Sequence, residues 1–178
     1  MTILQYGGVS VPWTVGWTSE DRLFLDRCNY AKGPAICQSV SPGQGKPLFG
    51  KPHANRQRAA ICAGLCDLCG RLLASRTKVS LSHARVVPHG AEGPAILQVE
   101  PLLHRECALE SMRFCPSLKR DIADGSLKIR QVTRYRVQTA LMSSEYVESL
   151  TGERKTAFGH SKVELVAWKD RDMGWLAV

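Results

Sequence analysis

Residues 62–70 read CAGLCDLCG, three cysteines in nine positions, with Cys66 and Cys69 forming a C-x-x-C pair that ends on Gly70. Such a pair serves either redox or metal chemistry. A redox pair belongs in a strand–helix–strand context with the cysteines opening a helix. Here Gly70 leads instead into β-branched, partly alternating sequence, RTKVSLSHARVV at 76–87. A metal site needs further donors, and His104-Arg105-Glu106-Cys107 supplies two. At spacing i, i+3 on the first turn of a helix they lie on one face and can grip one ion. Zinc prefers four sulfur and nitrogen donors in a tetrahedron. Cys66, Cys69, His104 and Cys107 are therefore the expected ligands of one structural Zn²⁺ per chain, closed to water. Cys115 and Cys62 are the neighbouring thiols that would substitute in that set. Cys28 and Cys37 read as small buried hydrophobes.

The order of the pieces matters as much as the count. Gly70 suits a turn whose amides bend around a metal-bound sulfur. RTKVSLSHARVV, a turn at HGAEGP (89–94) and AILQVEPLL (95–103) read as a β-hairpin. HRECALESMRF, 104–114, reads as a helix ending before Pro116. Knuckle, hairpin and ligand-bearing helix together make a treble-clef-like zinc module.

Outward from this module the pattern divides into three parts. Residues 1–61 are expected to be a loop-rich wrapping segment. Within it we expect a short helix near Ser19, with Leu23, Phe24 and Cys28 as its apolar face. The Gly- and Pro-punctuated stretch 29–55 is expected to be loop with no core strand, and 54–65 a helix ending near Gly64. Residues 62–118 are the zinc module. Residues 119–178 are expected to be antiparallel strands packed on it, from LKIRQVTRYRVQT (127–139) and SKVELVAW (161–168), with a loop around 143–152. The fold class is α+β: a treble-clef-like zinc module with a flanking antiparallel β-sheet and short helices, built as one domain.

The 178 residues carry a formal charge of +8, from 24 basic and 16 acidic side chains. Between Lys46 and Arg85 lie eight basic residues, Lys46, Lys51, Arg56, Arg58, Arg71, Arg76, Lys78 and Arg85, against Asp67 alone. Alternation in the strand at 130–136 puts Arg130, Arg134 and Arg136 on one face, with Tyr135 on the other. The expected nucleic-acid contacts are Lys51, Arg56, Arg58, Arg71, Arg76, Lys78, Arg85, Arg130, Arg134 and Arg136, made to the backbone more than to bases. SPGQGKP lacks the first glycine and the hydroxyl residue of a phosphate loop and is discarded. Seven cysteines, an odd number, argue against a full disulfide set and for a reducing compartment. No stretch suits a membrane span or a secretory signal, so a cytoplasmic setting is expected.

CDLCGRLL, HRECALESMRFCPSL and FGHSKVELVAWKD, in that order, resemble a family of small zinc-binding proteins of bacteriophages and prophages, over about residues 62–170. The resemblance implies a zinc site and a bacterial host cell, and it brings no activity with it. The enzymatic treble clef to weigh is the HNH nuclease, which needs a histidine base on the hairpin and a catalytic divalent ion. His83 and His89 lie on the hairpin. However, Ser82 stands where an acidic residue is usual, and the only asparagines, Asn29 and Asn55, precede the knuckle. The expected function is therefore non-catalytic: binding to nucleic acid or a nucleoprotein complex. The alternatives are an adaptor or inhibitor of a host protein complex, and a degenerate HNH-type nuclease.

Overall fold

The computed structural model describes residues 3–74, 77–83, 86–88 and 94–178. The expected turn at 89–94, with His89, and the basic residues Arg76 and Arg85 lie wholly or mainly outside them. The architecture is α+β. Short strands β1 (Leu4–Tyr6), β2 (Val9–Val11) and β3 (Val15–Trp17) lead through a 3-10 turn, Thr18–Glu20, into β4 (Leu23–Cys28), β5 (Gly33–Gln38) and β6 (Pro47–Pro52). Helix α1 (Ala54–Ala63) precedes the knuckle, and β7 (Lys78–Ser82), β8 (Val86–Pro88) and β9 (Pro94–Gln98) follow it. Then come α2 (Arg105–Phe114), α3 (Pro116–Ala123), β10 (Lys128–Met142), α4 (Ser144–Thr151), β11 (Ala157–Arg171) and α5 (Met173–Ala177). Among the described residues no helix is long and apolar enough to cross a membrane.

Strand β11 organises the main sheet. It runs antiparallel to β10 along nearly the full length of both strands, antiparallel to β9 at Val163–Leu165, and parallel to β5 where Phe158 meets Ala35. On the far side of β10 sits β7, with Ile129 opposite Leu81. The expected hairpin is present at both ends. Val79 exchanges two backbone hydrogen bonds of 2.9 Å with Leu103, and Val86–Pro88 pair with Pro94–Ile96. The described partners at the two ends share one register, falling on one strand as they rise on the other. Between the two ends, side chains bridge the strands: Ser80 and Ser82 Oγ donate to Gln98 Oε1 at 2.6 and 3.0 Å. The main sheet therefore runs β4-β5-β11-β10-β7, with β9 on β11 and β8 on β9, and the Val79–Leu103 bridge ties β7 to the chain that follows β9. The largest apolar cluster lies between this sheet, the knuckle and α2, and includes Leu68, Val79, Ile96, Ala108, Val132 and Leu165.

Three local expectations change. The segment carrying Leu23, Phe24 and Cys28 is strand β4, paired in full with β5 from Leu23–Gln38 to Cys28–Gly33. The stretch read as loop holds two strands, and β5 is a core strand in which Ala35, Ile36 and Cys37 are all buried. A short strand covered on both faces shows an apolar run without alternation, and flanking Gly and Pro hide it. Residues 144–151 are helix α4, capped by the Ser143 hydroxyl and ended by Gly152 in the left-handed region. The hydroxyl-rich sequence that reads as loop here is capping chemistry.

Helix α1 ends at Gly64 as expected, with φ +67°. It lies between layers, so both its arginines are interior. Arg56 donates two hydrogen bonds of 2.7 Å to the Glu20 carboxylate and others to the Trp13 and Val15 carbonyls. Arg58, fully buried, donates to the carbonyls of Gly159 and Ile36. Gln57 grips β11 through both backbone groups of Ser161.

Candidate metal centre

The knuckle is a tight hairpin closed by a bridge between Leu65 and Leu72. Cys66 N–H donates to Arg71 O, and Gly70 N–H returns to Cys66 O at 2.9 Å. Gly70 has φ +67°, and a Cβ there would lie 2.8 Å from the Trp13 ring. The glycine is needed for the turn and also for the close approach of the N-terminal segment, whose Trp13 N–H donates to Leu68 O. Gly70→Ala is expected to lower stability by about 1–3 kcal/mol, from left-handed strain plus overpacking against a rigid ring; a denaturant melt with an unshifted midpoint would contradict this.

A second tie fixes the helix over the knuckle. Asp67 N–H donates to Leu102 O, so the strand entering α2 is held two residues before His104. His104 is the N-cap of α2 and Cys107 lies in its first turn. The result is one cluster: single donor atoms of Cys66, Cys69, His104 and Cys107 all lie within 4.8 Å of one another. Nδ1 of His104 is 3.4 Å from Cys69 Sγ and 3.9 Å from Cys107 Sγ. Zn–S and Zn–N bonds of the usual length at a tetrahedral angle place sulfur and nitrogen ~3.6 Å apart. These distances bracket that value, so the donors fit one ion of zinc's size.

The surroundings orient the donors. His104 Nε2 lies 3.1 Å from Leu72 O, where its N–H donates to the carbonyl and leaves Nδ1 free to ligate. His104 N–H points at Cys66 Sγ, 3.5 Å away. A hydrogen bond from Cys107, with the N–H groups of Cys69, His104 and Leu68, holds the Cys66 thiol at about 5 against the upward push of burial. The same hydrogen bond to Cys66, together with burial, drives the Cys107 thiol upward. Buried sulfurs this close, one pushed toward the thiolate and its neighbour toward the thiol, are a donor set that a cation would relieve. Three thiolates and one imidazole around Zn²⁺ carry a net negative charge, and Arg71, hydrogen-bonded to Cys69, is the neighbouring cation.

Neither Cys62 nor Cys115 belongs to the cluster. Cys62 Sγ sits 3.4 Å from Ser161 Oγ, and Cys115 is the junction between α2 and α3. Cys37 is buried beside Arg58, and Cys28 is half-buried. Sequence reasoning missed the clamp on the ligand-bearing turn. The guanidinium carbons of Arg105 and Arg171 lie 4.8 and 5.3 Å from the centre of the Trp175 ring, and Arg105 also donates to Trp175 O. This joins α5 to α2 beside His104, a tertiary contact with no spacing signal in the chain.

The expected nucleic-acid residues separate. Lys51, Arg71 and Arg134 are exposed, Lys78 is half-buried, and the exposed Arg136 lies 4.0 Å from Glu164. Arg56, Arg58 and Arg130 must be withdrawn from the expected surface. They are interior, at 5%, 0% and 6% exposure, and Arg130 donates to Ser82 O. An irregularity in the β10–β11 register between Val132 and Arg134 interrupts the alternation that grouped Arg130 with Arg134 and Arg136. Of the nuclease residues, His83 is exposed with Nε2 2.8 Å from Asp121 Oδ2, while Ser82 is held by Gln98 and Asn55 accepts from Gln38 N–H.

No family model, curated protein or solved structure matches this chain.

Proposed function

We propose that the chain is a non-catalytic binding protein, stabilised by one structural Zn²⁺, whose basic surface contacts nucleic acid or a nucleoprotein complex in a bacterial host. The observation that carries this reading is the closed donor set. Four protein donors converge on one point, which leaves no position for a zinc-bound water. The partner follows from the formal charge of +8 and from the exposed Lys51, Arg71, Arg134 and Arg136. Elemental analysis of freshly purified protein is expected to give one zinc per chain.

Four phosphate contacts give a salt slope of about 3–4, or roughly a 100-fold loss of affinity between 50 and 200 mM salt. Arg134→Ala with Arg136→Ala is expected to reduce that slope by about 2 and to weaken all sequences alike, measured by fluorescence anisotropy on duplex and single-stranded probes. If the protein binds neither probe at low salt, the nucleic-acid reading is lost. The second reading, an adaptor or inhibitor of a host protein complex, is favoured by the burial of three arginines, which leaves fewer phosphate contacts than the charge suggests. A pull-down with and without nuclease treatment separates the two. The His83–Asp121 pair keeps the nuclease reading testable: magnesium- or manganese-dependent cleavage that disappears in His83→Ala would replace the binding reading.

A further inference from the structure

Two surfaces of this chain carry uncovered apolar side chains and opposite charge. The first is a groove of about 770 Å³ between α2, α3 and α5. Its apolar lining includes Met112, Phe114, Ile122 and Met173, and its charged lining residues are Arg113, with Glu110 3.9 Å away, and Lys119. Phe114 and Met173 are 39% and 38% exposed, and α3 has no fully buried residue. The second is helix α4. Val147 is its one buried residue, packed with Leu23, Leu25 and Ile36 in a core cluster separate from the one under the groove. On its outer side Tyr146 and Leu150, one turn apart, are 49% and 38% exposed. Glu145 and Glu148 flank them and pair with Arg154 at 3.4 and 3.5 Å on the surface, and Glu145 also accepts from the Ser144 hydroxyl.

We propose that α4 of one copy of this chain docks into the α2–α3–α5 groove of a second copy. An amphipathic helix enters a groove through anchors at i and i+4, and Tyr146 and Leu150 are such a pair. Methionine walls adapt to an aromatic and a branched anchor. Glu145 and Glu148 meet Arg113 and Lys119, exchanging exposed ion pairs that hold little energy for ones at the rim of a covered surface. The two patches differ, so the contact is heterologous. Each added copy leaves one groove and one helix free, and assembly continues into a ring or an open chain. The proposal does not depend on what the basic surface binds.

The test is sedimentation velocity on the full zinc-loaded chain over a hundredfold concentration range. The weight-average sedimentation coefficient is expected to rise with concentration. Leu150→Asp and Phe114→Asp are each expected to weaken association at least ~10-fold, because each removes a central anchor. Mixed in equal amounts, the two variants are expected to form a dimer and stop, since only one intact groove and one intact helix remain per pair. A second pair, Lys119→Glu and Glu148→Lys, alters exposed charges without touching the core. Each alone is expected to self-associate less, and their mixture to recover. A wild-type chain that stays monomeric throughout, as it would if the groove served another protein's helix, overturns the proposal. So do folded variants that associate like the wild type, or mixtures that fail to re-form the contact.

Discussion

Cys107→Ser is expected to abolish stoichiometric zinc and to lower the melting temperature by roughly 10–20 °C. Metal binding at structural zinc sites is worth ~10–16 kcal/mol of apparent folding free energy, and losing one of four donors forfeits a large part of it, at least about 5 kcal/mol. In a chain of this size each kcal/mol moves the midpoint by about 2–4 °C. The loss acts on the junction of the knuckle and α2, since the four donors come from both, beside the apolar packing of Leu68 with Ala108 and Met112. Serine keeps the size of the side chain but not the thiolate, so packing alone cannot account for the fall. Cys115→Ser supplies the control: its sulfur is outside the cluster, and zinc content and melting should both stay at wild-type values. Equal losses in the two variants would show that the four donors do not act as a unit.

Glu20→Ala is expected to cost about 3–5 kcal/mol, read as a shift in the urea midpoint. Glu20 is fully buried and accepts from both terminal nitrogens of Arg56, from Trp17 N–H and from Ser41 N–H. Removing it leaves the Arg56 charge buried without a counterion. An apolar pair at both positions should not restore stability here, because Arg56 also satisfies the carbonyls of Trp13 and Val15.

The same cluster sets the acid response. Burial pushes the Glu20 carboxyl up, but the Arg56 and Ser41 hydrogen bonds and the charges of Arg56 and His53 outweigh it and hold it below its usual range. Burial holds His53 below the usual imidazole value, with Nε2 at 2.9 Å from Ser39 O. In both cases the folded state binds fewer protons than the unfolded state as pH falls. Stability should therefore decline first below about 6.5 as unfolded His53 takes up protons, and again below about 4.5 as Glu20 does. Glu20→Ala should flatten the second decline.

The Cys₃His donor cluster was legible because metal-ligating chemistry leaves fixed spacings. Two cysteines flank a two-residue turn before Gly70, and His104 and Cys107 sit one helical turn apart. The long strands β10 and β11 were legible as strands from their β-branched, partly alternating sequence, but not in which side chains they bury. What stayed hidden depends on partners distant in sequence. Strand β5 is defined by what covers it, and its proline and glycine suggest a loop when it is read alone. Arg56, Arg58 and Arg130 read as surface charge because no local signal marks an arginine that donates to remote carbonyls. Glu20 lies thirty-six residues from Arg56, beyond the reach of any periodicity.

Strand β11 has a consequence for how the chain is made. It is the last strand in synthesis order, yet β5, β9 and β10 all pair with it. A polypeptide leaving the ribosome amino-end first leaves β5, β9 and β10 without this partner until Ala157–Arg171 emerges, and only then can the main sheet be completed. Early capture of zinc by Cys66, Cys69, His104 and Cys107 would give the nascent chain one ordered platform during that wait.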